Sequence, residues 1–298
     1  MKNPSHSDGD AALLFKKVRR LELISNKVVE SLLAGNYRSV FKGPGIEFDE
    51  TREYVEGDDV RLIDWNVSSR LDGVFTKTFR EERELTLFMI VDVSPSVYDL
   101  TLDSARREIQ SLVFSILTFA GVRNNDRIGG LFFSDQVEAW VPPRKGRRHA
   151  LRLIQDLLSF RPVGTGSNLE QALRSANEGL PRRGICVILS DFKTAGFYRE
   201  LALLARRHDV IAIRVNDPVE DSFPPVGLIQ LEDPETGKTI LAHGRSRAFR
   251  RQFKDFWEVD RRAWARECGR LGVAVLEIGV DEDPGVELVR FFRRRRKK

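Results

Sequence analysis

The chain has 298 residues, 41% of them apolar and 31% charged, which allows one sizeable packed core under a soluble surface. No stretch of about 18 apolar residues occurs, and Met1–Asp10 lacks the apolar run of a signal peptide, so the expectation is a cytoplasmic protein with no integral membrane segment. The net charge of +5 is carried by the cationic residues Arg293–Lys298, so the body has no excess positive charge, which argues against a nucleic-acid groove.

The first region is residues 1–84. Leu13, Leu14, Val18, Leu21, Ile24, Val28 and Leu32 recur at helical spacing, predicting a helix over Asp10–Ala34 that ends at Gly35-Asn36. Gly43-Pro44-Gly45 follows, then a charged, aromatic-dotted stretch to Glu84. This stretch reads as an irregular or short-stranded arm packed on a neighbour.

Residues 85–298 read as an α/β domain. Leu85–Val91 is a continuous apolar run, as for a strand buried on both faces. Asp103–Gly121 predicts a covering helix and Arg127–Phe133 a second strand. After the turn Ser134-Asp135-Gln136, Val137–Val141 returns as an antiparallel edge. Helices over Arg147–Phe160, Ser167–Gly179 and Ala195–His208 alternate with strands Ile185–Leu189 and Val210–Val215. Leu228–Glu232 and Thr239–Ala242 flank a hairpin turn at Pro234-Glu235-Thr236-Gly237. Ser246–Leu271 is a long helix, Val273–Ile278 a last parallel strand, and Asp281–Arg296 a closing helix with its basic tail. The alternation predicts a Rossmann-like, mostly parallel sheet with helices on both faces.

In such sheets ligands bind beyond the carboxyl ends of the strands. Three segments place oxygen side chains there: Asp92-Val93-Ser94-Pro95-Ser96, Ser190-Asp191, and Gly164-Thr165-Gly166-Ser167-Asn168. Two carboxylates in one crevice repel unless a cation lies between them, and hydroxyls are neutral oxygen ligands. The set suits a hard cation, Mg²⁺ first, with Mn²⁺ or Ca²⁺ as alternatives. With few carboxylates on it, such a metal would take an acidic ligand from outside. The histidines (His6, His149, His208, His243) have no ligand spacing, and Cys186 and Cys268 form no CxxC pair.

At these residues the sequence resembles the von Willebrand factor type A domains. Asp92-x-Ser94-x-Ser96 matches their metal-ion-dependent adhesion motif, and Asp191 its distal aspartate. Ser167 stands where the family has threonine, with Thr165 as the alternative hydroxyl. Upstream, Arg52-Glu53-Tyr54-Val55-Glu56-Gly57-Asp58-Asp59-Val60-Arg61, then Ile63-Asp64-Trp65-Asn66 and Arg70, resemble the signature of the bacterial domain-of-unknown-function family fifty-eight. That resemblance implies a type A-like domain directly after the signature. It also implies association with a MoxR-type AAA+ ATPase in a chaperone-like or complex-assembly role, and an acidic-residue-bearing protein client rather than a small-molecule substrate.

Simpler readings stand beside these. Asp191 could cap the following helix, and Ser167-x-x-Glu170 forms a capping box that needs no metal. Asp64, Trp65 and Arg70 read as structural, a buried indole and an Asp–Arg pair fixing the arm, with a partner-facing surface as the alternative. The basic tail reads as solvated, with anion or nucleic-acid binding as a lesser role. A metal-dependent phosphohydrolase using Asp92 as nucleophile would need an acid two residues on, where Ser94 stands, so the chain does not read as an enzyme.

Overall fold

The computed structural model describes residues 5–34, 47–71, 73–80, 85–94, 105–216, 218–232 and 239–295. It divides into two compact units, one of residues 1–41 with 85–298, the other of residues 42–84.

The small unit is an antiparallel pair, β1 (Glu47–Glu53) with β2 (Phe75–Arg80), and a loop ordered by its acids. Asp58 accepts from Arg52 at 2.7 Å and from the Val55 amide at 3.0 Å, and the Arg52 guanidinium holds its carboxyl below the usual range. Gly57 has φ +109°, a left-handed turn conformation that favours glycine. Asp59 caps a single 3₁₀ turn, Val60–Leu62. Asp64 caps α2 (Trp65–Ser68), accepting from the amides of Asn66 at 3.0 Å and Val67 at 3.3 Å.

Two expectations for this unit are corrected. Asp64 is held by those amides and by Lys77, 3.4 Å away, rather than by Arg70, which is exposed. Trp65, the first residue of α2, is 69% exposed rather than buried. Val55, Val60, Leu71 and Val74 are exposed as well.

The large unit holds a six-stranded sheet. Its strands are β3 (Thr86–Asp92), β4 (Arg127–Phe133), β5 (Val137–Arg144), β6 (Ile185–Ser190), β7 (Asp209–Asn216) and β10 (Ala274–Gly279). The order is β10-β7-β6-β3-β4-β5, all parallel except the edge strand β5. The fold is therefore α/β, with the chain leaving β3 in opposite lateral directions to reach β4 and, later, β6. β5 runs on past the predicted Val141 through Pro142 and Pro143, which an edge strand with an irregular register tolerates.

Side chains of β3 alternate between two cores. Leu87, Met89 and Val91 pack with α3 (Ala105–Arg123), α4 (Arg147–Ser159) and α9 (Pro284–Arg295). Phe88 and Ile90 pack with α5 (Leu169–Gly179), α6 (Tyr198–Arg207) and α8 (Arg247–Arg270). Between β7 and α8 come α7 (Pro218–Asp221) and a separate hairpin, β8 (Leu228–Glu232) with β9 (Thr239–His243); its tip, Pro234–Gly237, lies outside the described residues.

The first helix, α1 (Ser5–Ala34), belongs to this unit and not to the arm. Val18, Leu21 and Val29 lie along one face and enter the first core, against α3, α4 and α9. The sequence boundary at residue 84 thus separates segments that fold together, because the helix stripe needs the sheet's cover helices for burial. No described helix is long and apolar enough to cross a membrane.

Candidate metal centre

The site lies where β3 and β6 end side by side, the point at which strand order reverses. Val91 is in register with Leu189, so Asp92 stands beside Ser190 at the crest. Gln110 of α3 reaches into this cleft and donates to the carbonyls of Asp92 at 2.9 Å and Leu189 at 3.3 Å. It thereby ties the ends of β3 and β6 together from the helix side.

Asp92 is fully buried. One carboxylate oxygen accepts from the Ser94 amide at 3.0 Å. The other accepts from the hydroxyls of Ser190 at 2.8 Å and Ser167 at 3.1 Å. Burial, then the charge of Asp191, push the Asp92 carboxyl up to about 6, against the pull of those hydrogen bonds.

Asp191 is 4% exposed. Its Oδ1 accepts from the Lys193 amide at 3.2 Å, a local turn and not a helix cap, since α6 starts only at Tyr198. Its Oδ2 is buried with no hydrogen-bond partner; the nearest cation, Arg106 Nη1, stands off at 3.8 Å.

Ser167 is carried on a loop fastened to the β4–β5 turn. Glu138 accepts from the amides of Val163 at 2.9 Å and Gly164 at 2.7 Å, Asp135 accepts from the Thr165 amide at 3.2 Å, and the Asn168 amide donates to Ser134 O at 2.7 Å. A Cβ at Gly164 would lie 2.0 Å from Asp135 Oδ1 and 2.1 Å from Ser134 Oγ, so both side chains would have to shift to admit one. Helix α5 is capped by Asn168, which accepts from the Gln171 amide at 3.0 Å, so the expected capping box on Ser167 is not formed. That leaves the Ser167 hydroxyl for Asp92. Thr165 is exposed, its amide tied to Asp135.

These roles separate by mutation. Asn168→Ala is expected to cost about 1 kcal/mol of stability and leave cation affinity unchanged. Ser167→Ala is expected to do the reverse, lowering cation affinity severalfold at nearly unchanged stability. Melting curves with and without Mg²⁺ read both effects.

Of the sequence-derived set, Asp92, Ser94, Ser167 and Asp191 meet in one crevice, and Ser96 lies outside the described residues. Ser190 was not singled out as a ligand, although the one polar residue ending an otherwise apolar strand just before Asp191 is a legible signal. The donor set suits a hard divalent cation. It offers a buried carboxylate whose ionisation is opposed by a second carboxylate, one open carboxylate oxygen, and hydroxyls able to turn their lone pairs outward. Cys186 and Cys268 lie in the second core away from this crevice. Burial pushes both thiols up, Cys268 to about 12, so neither offers a thiolate.

Among known proteins, an uncharacterized protein of Mycobacterium tuberculosis is 31% identical over 293 residues, 97% of this chain and 92% of that protein. Among solved structures, the conserved hypothetical protein BatB from Bacteroides thetaiotaomicron is 15% identical at a TM-score of 0.44, the match covering 72% of this chain and all of that one. An aerotolerance-related membrane protein from Bacteroides fragilis is 15% identical at a TM-score of 0.46, covering 72% of this chain and 98% of that one. Residues 50–263, from within β1 into α8, match the family described as "Protein of unknown function DUF58", and the chain belongs to that family.

Proposed function

We propose that this chain is a metal-dependent protein-interaction module and not a catalyst. Asp92, Ser94, Ser167 and Asp191, with Ser96 and Ser190, would hold a divalent cation, Mg²⁺ first. The cation would supply a Lewis-acidic position for a carboxylate from a partner protein. The observation that carries this reading is the fully buried Asp92 carboxylate, held by hydroxyls and an amide, with a buried Asp191 oxygen that accepts no hydrogen bond close by. Two buried acids in one crevice repel, and a cation between them would relieve that repulsion.

The resemblance of the Arg52–Arg70 signature extends the proposal to the partner: a MoxR-type AAA+ ATPase, acting with this chain on an acidic protein client. The phosphohydrolase alternative draws no support from the crevice, where buried Ser94 occupies the position a carboxylic proton donor would need.

The test is capture of the purified MoxR-type ATPase of the same organism on the immobilised chain. Capture in Mg²⁺ is expected to fall at least tenfold in chelator, and to be absent for Asp92→Ala in either buffer. Equal capture by wild type and variant, or capture indifferent to chelator, would overturn the reading.

A further inference from the structure

Behind Asp191 lies a set of charges that the metal reading does not use. Glu220, on α7, is 4% exposed. One of its oxygens takes two cations, Arg106 Nη2 at 2.9 Å and Lys193 Nζ at 2.8 Å. Both cations also bear on the metal site. Arg106 faces the open oxygen of Asp191 at 3.8 Å, and Lys193 follows Asp191 by two residues, its amide bound to that carboxylate. The other Glu220 oxygen is buried with no hydrogen-bond partner.

Glu220 in turn is seated by an aromatic row on α8. Phe223, just past α7, packs on Phe249 and Phe253 with ring centroids 5.2 and 4.9 Å apart. Phe253 meets Trp257, and the Lys193 ammonium lies 4.3 Å from the Trp257 ring centre. Lys193 thus links Glu220 to Trp257, and the aromatic row continues from Trp257 through Phe253 to Phe223, three residues after Glu220.

We propose that Glu220 is a positioning residue for the metal site: it holds the Arg106 guanidinium off the open oxygen of Asp191, and so ties the cation affinity of the crevice to the seating of α8. The inference rests on the metal reading above. Asp191 Oδ2 faces two competitors, a guanidinium already beside it and an incoming divalent cation. Glu220 settles that competition by engaging Arg106 at hydrogen-bond distance while Asp191 stays beyond it. Without the Glu220 charge, Asp191 is the acid left beside Arg106, and Arg106 closes onto it. Without the Arg106 charge, a cation that repels the metal is gone. The two residues therefore act on cation affinity in opposite directions, which a purely structural role cannot produce. A ligand that moved α8 would change metal affinity, and the metal would change affinity for that ligand by the same factor.

The experiment is calorimetric titration of the full chain with MgCl₂ alone. The proteins are wild type, Glu220→Gln, Glu220→Asp, Arg106→Gln and Arg106→Lys, with melting curves in chelator as the folding control. Glu220→Gln is expected to weaken Mg²⁺ about five- to tenfold and Arg106→Gln to tighten it about as much. The charge-conserving variants should stay within about threefold of wild type. Weakening by both neutral variants, or no change in either, would overturn the proposal while wild-type binding upholds the metal reading. Absence of Mg²⁺ binding by wild type would overturn both.

Discussion

Asp92→Asn is expected to make the cation-free protein more stable at pH 7.5 and, at the same time, insensitive to Mg²⁺. Burial and the charge of Asp191 raise the Asp92 carboxyl from 3.8 to about 6. The folded chain then holds this proton more tightly than the unfolded chain between about pH 4 and pH 6. The contribution to stability is complete below the unfolded value and is lost as pH rises through the folded one. Above pH 6 the ionised group opposes folding by on the order of 3 kcal/mol. The amide is isosteric and uncharged. Its oxygen keeps the Ser94 amide, and its nitrogen can donate to the Ser190 and Ser167 hydroxyls, which turn to accept. Melting in chelator should therefore show a gain of about 5 °C for the variant at pH 7.5 and little difference near pH 4. On the metal reading proposed above, Mg²⁺ would bind the ionised form, so its stabilising shift should grow as pH rises through 6, with about tenfold weaker apparent affinity at pH 5. A variant less stable than wild type in chelator at pH 7.5 would contradict this charge balance.

Gly129→Ala is expected to be the most damaging single-methyl change in the sheet. A Cβ at Gly129 would lie 2.8 Å from both Pro143 N and Val141 O and 2.9 Å from Pro143 Cα. All three are backbone atoms of β5, so no side chain can turn aside. The register between β4 and β5 is already irregular at this point, between Ile128 and Gly130. Moving the Pro142–Pro143 segment outward would strip the edge strand from β4. A loss of at least about 3 kcal/mol follows, read as a lowered denaturant midpoint. Stability within about 0.5 kcal/mol of wild type would show that β5 adjusts freely.

The middle of the sheet was legible because β3 and β6 are apolar on both faces, which leaves no alternative to a buried position. The long helix α8 was legible too, from its length and periodic stripe, and Ser246 caps it where the sequence places its start. Asp92, Ser94 and Asp191 could be read because each directly follows or ends such a strand. Features fixed by distant partners could not be read. Arg106 and Glu220 are 114 positions apart and meet only through the fold. Ser167 and Asn168 are adjacent candidates for one helix cap, and the choice between them is made by the Ser134 carbonyl and Asp92, which no local pattern records. Trp65 reads as buried from its residue type, but it opens a four-residue helix and stands exposed. The N-terminal helix was recognised as a helix yet assigned to the wrong unit, since periodicity reveals an apolar stripe and not its counterpart.

That helix has a consequence for how the molecule comes into being. During synthesis α1 leaves the ribosome before every strand of the sheet, while α9, one of the helices that cover it, emerges after all of them. Val18, Leu21 and Val29 can meet α3 and α4 midway through translation, but their cover is complete only when α9 has emerged. The small unit of residues 42–84, whose pairings are local, can form in the meantime. A nascent chain arrested before α9 would leave the α9-facing part of the α1 stripe open to any chaperone within reach.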